Sequence, residues 1–236
     1  PPGGLSGLDP AVRKGDGRMP LSAREFMRIL LEIGERVENE QHRLSELDRA
    51  IGDGDHGVSM AIGWRAIRDK IKELEHEEDI GAILQVLSKT FLNAVGASVG
   101  PLYGMAFLKG GAVLKGKTSL SERDIVEFWA AAVDGIRQLG KAELGDKTML
   151  DAWIPIVNSL RSSMESGADW LNTLDQAVRA GEAGMESTRQ LLSQKGRSGR
   201  LGDRSVGHID PGAASACLIF SSFVDAYKRI KGMNIG

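Results

Sequence analysis

Residues 21–47 read LSAREFMRILLEIGERVENEQHRLSEL, and this is the first stretch of the chain with a regular hydrophobic pattern. Its apolar residues recur at spacings of three, four and seven, which places them on one face of an amphipathic helix. These residues are Phe26, Ile29, Leu30, Ile33, Val37, Leu44 and Leu47. The spacing predicts a helix over this stretch whose apolar face packs against a core.

The same helical spacing returns along the rest of the chain. Seven further helical stretches are predicted at about 57–76, 79–96, 101–116, 121–139, 147–165, 168–193 and 211–231. These segments leave no room for a sheet, and no internal repeat is evident. The sequence therefore predicts an all-α fold, a single antiparallel up-down bundle of eight helices over residues 21–236. Residues 1–20 contain five glycines and four prolines without periodicity, and we expect a flexible tail or the remnant of a linker.

Composition excludes several classes of protein. The 236 residues carry 30 Lys and Arg against 32 Asp and Glu, so the chain lacks the basic surface of a nucleic-acid-binding protein. No run of 18 apolar residues and no signal peptide are visible, which favours a cytoplasmic protein without a membrane segment. One cysteine, Cys217, excludes an intramolecular disulfide and a Cys-rich zinc site. We expect Cys217 to be a small core residue.

Glycine is abundant, with 30 residues, and it clusters between the predicted helices. Four glycine-rich connections cover residues 51–57, 95–101, 140–147 and 194–212. In an up-down bundle every second connection lies at the same end. The sequence therefore predicts a polar site built from these loops at one end of an apolar bundle.

The strongest local signal is Asp48, followed after four residues by Asp53-Gly-Asp55-His56-Gly57. Three carboxylates so close together repel one another unless a cation or solvent screens them, and hard oxygen ligands of this kind suit Mg²⁺ or Ca²⁺. A calcium loop of the EF-hand type does not fit, because its twelfth position would be Trp64 and not Glu. The helix predicted to start near Gly57 would favour an anion at its N-terminus. We interpret the motif as a metal site beside bound phosphate; a solvated acidic turn is the alternative.

Two nucleotide-binding patterns are expected to be coincidental. Gly52, Gly54 and Gly57 match G-x-G-x-x-G, but a charged helix and not a hydrophobic strand precedes them. Residues 111–118 match the P-loop pattern, yet the segment before them is also helical. We expect a helix that ends at Gly116, with Ser119 or Ser121 capping the next one.

The connection QKGRSGRLGDRSVGHIDPG at 194–212 is long, and loops of this length are usually functional or disordered. Its arginines can pair with phosphate, and Arg197 is expected to help this loop order over a nucleotide. Asp210-Pro211 is a strong helix start, with an N-cap followed by proline in the first turn. The alternative is a mobile surface loop. Spacing alone gives no role to His56 or His208.

Four motifs carry a resemblance to a known protein family: LDRAIGDGDHG at 47–57, GPLYG at 100–104, GDKTMLD at 145–151 and LGDRSVGHIDPGA at 201–213. From about residue 21 to its end, the sequence resembles the L subunit, the nucleotide-binding subunit, of the dihydroxyacetone kinase family. The resemblance implies an eight-helix antiparallel barrel with the nucleotide site in loops at one end. It also implies a kinase of glycerol metabolism that transfers a phosphoryl group to an alcohol.

The resemblance assigns residues to this site. It implies that Asp48, Asp53 and Asp55 bind Mg²⁺, with two ions expected, and that these aspartates together with His56 and Arg197 form the catalytic set. Nucleotide contacts are implied on the phosphate side for His56, Gly57, Val58, Ser59, Ser98 and Val99. Contacts to the rest of the nucleotide are implied for Gly140, Met149, Arg197, Asp210, Pro211 and Gly212.

The resemblance further implies partners. A separate K-type subunit would hold the ketose, dihydroxyacetone or a similar sugar, through a histidine of its own chain. The phosphoryl donor is ATP in some members, whereas in others a phosphotransferase-system protein rephosphorylates bound ADP; we expect ATP. The alternatives are the L subunit of an erythrulose (ketotetrose) kinase and a nucleotide-binding regulatory homologue without transfer. A homodimer is a further expectation, and neither nucleic acid nor membrane is expected as a partner.

Overall fold

The computed structural model describes residues 20–195 and 198–233, and within them the chain is almost entirely helical. The α-helices are α1 (Ala23–Asn39), α2 (Gln41–Ile51), α3 (His56–Glu73), α4 (Ile80–Ala94), α5 (Val99–Ala112), α6 (Glu122–Gly140), α7 (Leu150–Glu165), α8 (Trp170–Ser187) and α9 (Pro211–Ile230). Two strands, β1 (Leu21–Ser22) and β2 (Ser119–Leu120), and two 3₁₀ segments, Thr188–Gln190 and Ser198–Ser205, complete the described elements. The predicted all-α class is confirmed.

Eight of these helices form a closed ring. The helix α1 packs on α3, the helices from α3 to α9 each pack on the next, and α9 returns to α1. The predicted eight-helix barrel is therefore present, but the described residues contain a ninth helix. The first predicted segment is interrupted at Glu40, whose ψ of 4° is not helical, so α2 leaves the ring and packs against α3 and α9. A single non-helical residue leaves the hydrophobic spacing nearly unchanged, which is why periodicity did not reveal the break.

The prediction that no sheet forms was wrong in one detail. Leu21 pairs with Leu120, and Ser22 with Ser119, in an antiparallel ladder of two residues per strand. The reason lies in helix capping: an N-cap residue requires extended backbone, and Ser22 and Ser121 precede neighbouring helix starts with ψ values of 161° and 167°. The two extended segments lie side by side and join the start of α1 to the start of α6.

Side chains cap the four helix starts at this end of the barrel. Ser22 caps α1, Asp79 caps α4, Ser121 caps α6 and Asp169 caps α8, each by accepting a hydrogen bond from a backbone N–H in the first turn. In α1 and α6 the reciprocal bond of a capping box is also present. The helices concerned alternate around the ring, so these four starts share one end, which we call the capped end.

Aromatic side chains fill the barrel. The chain contains 6 Phe, 4 Trp and 2 Tyr, and all of them are buried. Trp129 lies at the centre of the group, with its ring 5.1 Å from that of Trp153, 5.5 Å from that of Phe220 and 5.3 Å from that of Phe223. This arrangement gives the barrel a large apolar core that is formed by helix residues and not by the loops.

The two coincidental motifs are confirmed as such. Helix α5 ends at Ala112, four residues before the predicted end at Gly116. Gly116 adopts a φ of 78° in the turn that follows, and Ser121 caps α6 as expected. Lys117 forms an ion pair with Asp124 (3.0 Å) and does not line the cavity described below. The segment preceding Gly52 is α2 and not a strand.

Residues 1–19, which make up nearly all of the predicted tail, are outside the described residues. Among the helices that are described, none is both long and apolar enough to span a bilayer.

Candidate functional site

A cavity of about 580 Å³ opens at the end of the barrel opposite the capped end. Its walls come from the α2–α3, α4–α5, α6–α7 and α8–α9 connections and the helix ends beside them. The expectation that the glycine-rich loops meet at one end is therefore confirmed. We call this end the open end.

Three carboxylates form a cluster at one side of the cavity. Asp48 lies on α2 and is 9 % exposed, whereas Asp53 and Asp55 lie in the exposed loop before α3. One oxygen from each can be chosen so that all three lie within 4.8 Å of one another. Oxygen donors at this separation fit a hard divalent cation such as Mg²⁺.

The loop between α2 and α3 is shaped by glycine at two positions. A methyl group at Gly52 would collide with the Asp48 carboxylate, so only glycine allows the chain to pass so close to it. Gly54 has a φ of 80°, a conformation that costs glycine little. These two residues let the chain turn within four positions and bring Asp53 and Asp55 back beside Asp48.

His56 connects the carboxylate cluster to α9. Its backbone N–H donates to Asp48 Oδ2 (3.1 Å), and its Nε2 lies 3.0 Å from Ser215 Oγ. The Ser215 hydroxyl donates to the Gly212 carbonyl (3.0 Å), which leaves its oxygen to accept from Nε2–H of His56. Burial lowers the pKa of His56 to about 4 against the opposing effect of the Asp48 carboxylate. The imidazole is therefore neutral at pH 7 and links the starts of α3 and α9.

Four helix N-termini point into the open end, those of α3, α5, α7 and α9. In the first three, the N-cap residues Asp55, Ser98 and Met149 form no side-chain cap bond. In α9 the N-cap side chain does cap the helix, because Asp210 accepts from the Ala213 N–H (2.8 Å). Side chains outside the N-cap position accept from the first N–H of α3, which donates to Asp48 (3.1 Å), and of α7, which donates to Thr148 Oγ1 (3.2 Å). Backbone N–H groups and the positive ends of helix dipoles thus converge on the cavity, which favours an anion there.

The remaining wall is largely apolar. Ile136, Leu139, Ala142, Met149 and Leu150 line it, and such a surface suits a flat heterocyclic ring. Asp210 is a polar residue in this area of the cavity.

Burial raises the pKa of the Asp210 carboxyl to about 7. The Ala213 amide and the Lys147 ammonium oppose this rise, and the Asp151 carboxylate adds to it. The open end therefore contains a carboxyl group that is only partly ionised at neutral pH.

Most of the site residues predicted from the sequence lie together. The cavity is lined by Asp48, Asp53, Asp55, His56, Ser59, Ser98, Val99, Gly140, Met149, Asp210, Pro211 and Gly212. Gly57 and Val58 belong to the first turn of α3 but do not line the cavity; Gly57 is buried against Gln41 and Val58 is 41 % exposed. Arg197 lies outside the described residues, so its role stays a prediction.

Sequence reasoning gave no role to Lys147 and Asp151. Lys147 lines the cavity yet is only 1 % exposed, and Asp151 is equally buried. Both lie in the GDKTMLD motif, which carried the family resemblance. Nothing in the spacing of that motif indicated a buried lysine, because its partners come from a distant segment of the chain.

Comparison with known proteins gives a consistent result. The family model described as the DAK2 domain matches residues 50–225. The chain is 38 % identical over 205 residues to the ADP-binding subunit of PEP-dependent dihydroxyacetone kinase 2 of Listeria innocua, covering 86 % of this chain and 94 % of that one. It is 36 % identical over 211 residues to the ADP-binding subunit of the PEP-dependent dihydroxyacetone kinase of Escherichia coli, covering 89 % and 100 %.

A solved structure shares the fold. The crystal structure of the dihydroxyacetone kinase from C. freundii in complex with AMP-PNP and Mg²⁺ superimposes with a TM-score of 0.68 at 22 % identity. The match covers 95 % of this chain and 38 % of that one, so the present chain spans about two fifths of the longer protein.

Proposed function

This chain belongs to the DAK2-domain family, and from that premise we propose that it is the nucleotide-binding, phosphoryl-transferring subunit of a dihydroxyacetone-type kinase. The observation that carries the proposal is the carboxylate cluster of Asp48, Asp53 and Asp55 at the mouth of a cavity surrounded by helix N-termini. The cavity volume of about 580 Å³ lies within the range typical of small-molecule sites.

The donor set of the cluster fits magnesium. Asp48, Asp53 and Asp55 would hold Mg²⁺, and the family resemblance implies two ions. Bound there, Mg²⁺ would neutralise phosphate charge and join the phosphates to the protein. The nearby N-termini of α3 and α5 add positive potential that belongs to the protein itself.

Two groups of cavity residues would contact different parts of the nucleotide. The first turns of α3 and α5, with Ser59 and Ser98, would face the phosphates. The apolar wall around Gly140 and Met149, with the start of α9 at Asp210 to Gly212, would enclose the ribose and base. Phosphoryl transfer requires positioning and electrostatic stabilisation more than covalent chemistry by the protein.

His56 is proposed to position and not to remove a proton. With a pKa of about 4, it is a weak base at neutral pH, and its Nε2 is already bonded to Ser215. A neutral imidazole can hold the phosphate side of the site in place without adding charge. The acceptor hydroxyl would come from a ketose on a separate K-type subunit, and Arg197 would approach the phosphates from the α8–α9 connection.

Two phosphoryl donors are compatible with this site. The sequence led us to expect ATP, whereas the two relatives described above are named PEP-dependent and ADP-binding. We therefore propose that ADP stays bound and is rephosphorylated by a phosphotransferase-system protein. The intact aspartate cluster argues against a regulatory protein that has lost transfer.

The proposal is tested with the purified chain, a K-type subunit and dihydroxyacetone. We expect Mg-ADP to bind, and product to accumulate over many turnovers with PEP and the phosphotransferase proteins but not with ATP alone. Erythrulose in place of dihydroxyacetone tests the tetrose alternative in the same assay. Sustained turnover with ATP would refute the proposed donor, and failure to bind Mg-ADP would refute the function itself.

A further inference from the structure

Lys147 makes an unusual set of contacts for a lysine. Its Nζ donates to four backbone carbonyl groups: Thr188 O at 2.7 Å, Ser205 O and His208 O at 2.6 Å each, and Leu191 O at 3.3 Å. Among the described residues no carboxylate forms an ion pair with it. An ammonium group has three N–H donors. The three nearer carbonyls can accept one N–H each, and the more distant Leu191 carbonyl shares one of these donors.

These acceptors belong to two separate segments of the α8–α9 connection. Thr188 and Leu191 follow the end of α8, whereas Ser205 and His208 precede α9. We call these four carbonyls and Lys147 the lysine cage. A buried charge is costly unless it is fully hydrogen-bonded, and here carbonyl dipoles surround it as they would a bound cation.

The turn that carries Lys147 is itself built for this contact. The carboxylate of Asp151 accepts from the Gly145 N–H (2.6 Å) and from the Thr148 N–H (2.7 Å), so it holds the chain on both sides of Lys147. Lys147 adopts a φ of 59°, which is unfavourable for a residue with a side chain. In this conformation the Lys147 side chain is buried, and its ammonium group contacts backbone carbonyls and not solvent.

The cage leads by short steps to the proposed nucleotide site. The Thr188 hydroxyl accepts from the Asp210 N–H (2.9 Å), and Asp210 begins α9. The Ser215 hydroxyl donates to the Gly212 carbonyl, and the Ser215 oxygen in turn accepts from His56 Nε2. Because the two segments bound by Lys147 lead directly into this helix start, their position fixes where Asp210, Pro211 and Gly212 meet the cavity.

We propose that Lys147 is a positioning residue for the nucleotide site: its ammonium group acts as a tethered cation that holds the two segments together and places the start of α9. Lys147 does not contact phosphate, because its donors are already used. The inference deepens the proposed function and rests on it for the effect on nucleotide binding, but the cage itself can be tested without nucleotide.

The experiment compares Lys147→Ala with Lys141→Ala. Lys141 is a matched control, because it is a lysine of the same α6–α7 connection with a φ of 49° but is exposed and outside the cavity lining. We expect Lys147→Ala to bind Mg-ADP at least tenfold more weakly in calorimetry, and Lys141→Ala to bind it as the parent does. Hydrogen exchange without nucleotide should quicken in Lys147→Ala at the amides of Ser193 and Gly207. Each amide joins the two segments, because Ser193 N–H donates to Ser205 Oγ and Gly207 N–H donates to Arg189 O.

Chemical rescue separates a tethered cation from simple packing. Ethylammonium added to Lys147→Ala should restore slow exchange at Ser193 and Gly207 and recover part of the affinity, whereas guanidinium at the same low concentration should not. Unchanged exchange in Lys147→Ala, quickened exchange with unchanged Mg-ADP affinity, or equal recovery with guanidinium would each overturn the proposal.

A measurement on the parent protein covers the case in which Lys147→Ala does not fold. With ¹⁵N-labelled lysine, a caged ammonium should give an Nζ–H NMR signal that survives exchange with water and disappears in Lys147→Arg. Absence of such a signal would contradict the cage. If the parent protein does not bind Mg-ADP, the proposed function fails, while the NMR and exchange measurements still decide the cage.

Discussion

The two ends of the barrel treat their helix N-termini in opposite ways. At the capped end, Ser22, Asp79, Ser121 and Asp169 satisfy the first turns of α1, α4, α6 and α8. At the open end, side-chain cap bonds are absent from α3, α5 and α7. The difference indicates that N-cap side chains stabilise every helix start at the capped end, whereas at the open end the N-cap side chains of α3, α5 and α7 leave part of the first-turn N–H groups for a ligand.

Charge follows the same division. The open end contains the cluster of Asp48, Asp53 and Asp55 and the buried carboxyl of Asp210. Like charges and buried carboxyl groups lower stability when no ligand is bound. Substitutions should therefore have opposite consequences at the two ends: stability lost at the capped end, and binding lost, with stability kept or gained, at the open end.

The largest expected effect is on stability at the open end. Asp210→Asn keeps an N-cap for α9 but removes a carboxyl whose pKa is raised from 3.8 to about 7. The folded protein binds this proton more tightly than the unfolded chain, so the parent loses stability as pH rises from about 4 to 7. The variant lacks that loss, and its free energy of unfolding should exceed the parent's by up to about 4 kcal/mol at pH 8.

Urea denaturation at several pH values checks this expectation. The advantage of Asp210→Asn should shrink steadily as the pH falls from 7 and should disappear below the unfolded-state pKa of 3.8, where the parent carboxyl is protonated in both states. A difference that does not change with pH would show that Asp210 costs no stability through its charge.

A smaller effect, on binding, is expected at the carboxylate cluster. Asp53→Asn removes one of three charges that would hold Mg²⁺, and Mg-ADP affinity should fall at least a hundredfold, which corresponds to about 2.7 kcal/mol. The free energy of unfolding should stay the same or rise, because repulsion with Asp48 and Asp55 is relieved.

Asp69→Asn is the control for charge alone. Asp69 lies on the outer face of α3 and pairs with Lys72 (2.8 Å), far along the helix from the cluster. Calorimetry should show parental affinity in this variant. Equal losses in Asp53→Asn and Asp69→Asn would mean that net charge, and not the cluster, governs binding.

At the capped end, Ser121→Ala should lower the free energy of unfolding by about 1 kcal/mol, the usual contribution of an N-cap. Ser121 accepts from the Asp124 N–H (3.2 Å) and stands beside the β1–β2 pairing. Mg-ADP affinity, measured by calorimetry on the folded variant, should be unchanged. Weakened binding would show that the two ends are coupled.

The same substitution at an open-end N-cap should have the smallest effect and the opposite pattern. Ser98→Ala removes a hydroxyl that lines the cavity but does not cap α5. Stability should match the parent's, and Mg-ADP affinity should fall about threefold, or about 0.7 kcal/mol. Thermal denaturation and calorimetry on both variants check this pattern. Lost stability in Ser98→Ala, or weakened Mg-ADP binding in Ser121→Ala, would contradict it.

Whether a feature could be predicted from the sequence depends on how far apart along the chain its interacting residues lie. Helical periodicity predicted an antiparallel bundle of eight helices, because each amphipathic face is encoded within one segment, and the family resemblance implied that the bundle is a barrel. The cluster of Asp48, Asp53 and Asp55 was predicted for the same reason, since eight residues contain it. Alternation of the glycine-rich loops then predicted that they share one end.

Features that depend on distant segments were not predicted. The break at Glu40 is a change at one backbone position that leaves the hydrophobic spacing intact. Lys147 meets carbonyl groups 41 to 61 residues away along the chain, and Ser215 lies 159 residues from His56. Backbone carbonyls are present at every residue, so a sequence gives no sign of which of them will surround a lysine.

Dependence of ADP binding on Mg²⁺ is the most direct test of the division between the two ends. Protein freed of bound nucleotide would be titrated with ADP by calorimetry, once with excess Mg²⁺ and once with excess EDTA. The cluster and the open helix starts predict saturable one-to-one binding that weakens at least a hundredfold in EDTA. Equal affinity under both conditions, or no binding under either, would contradict the account.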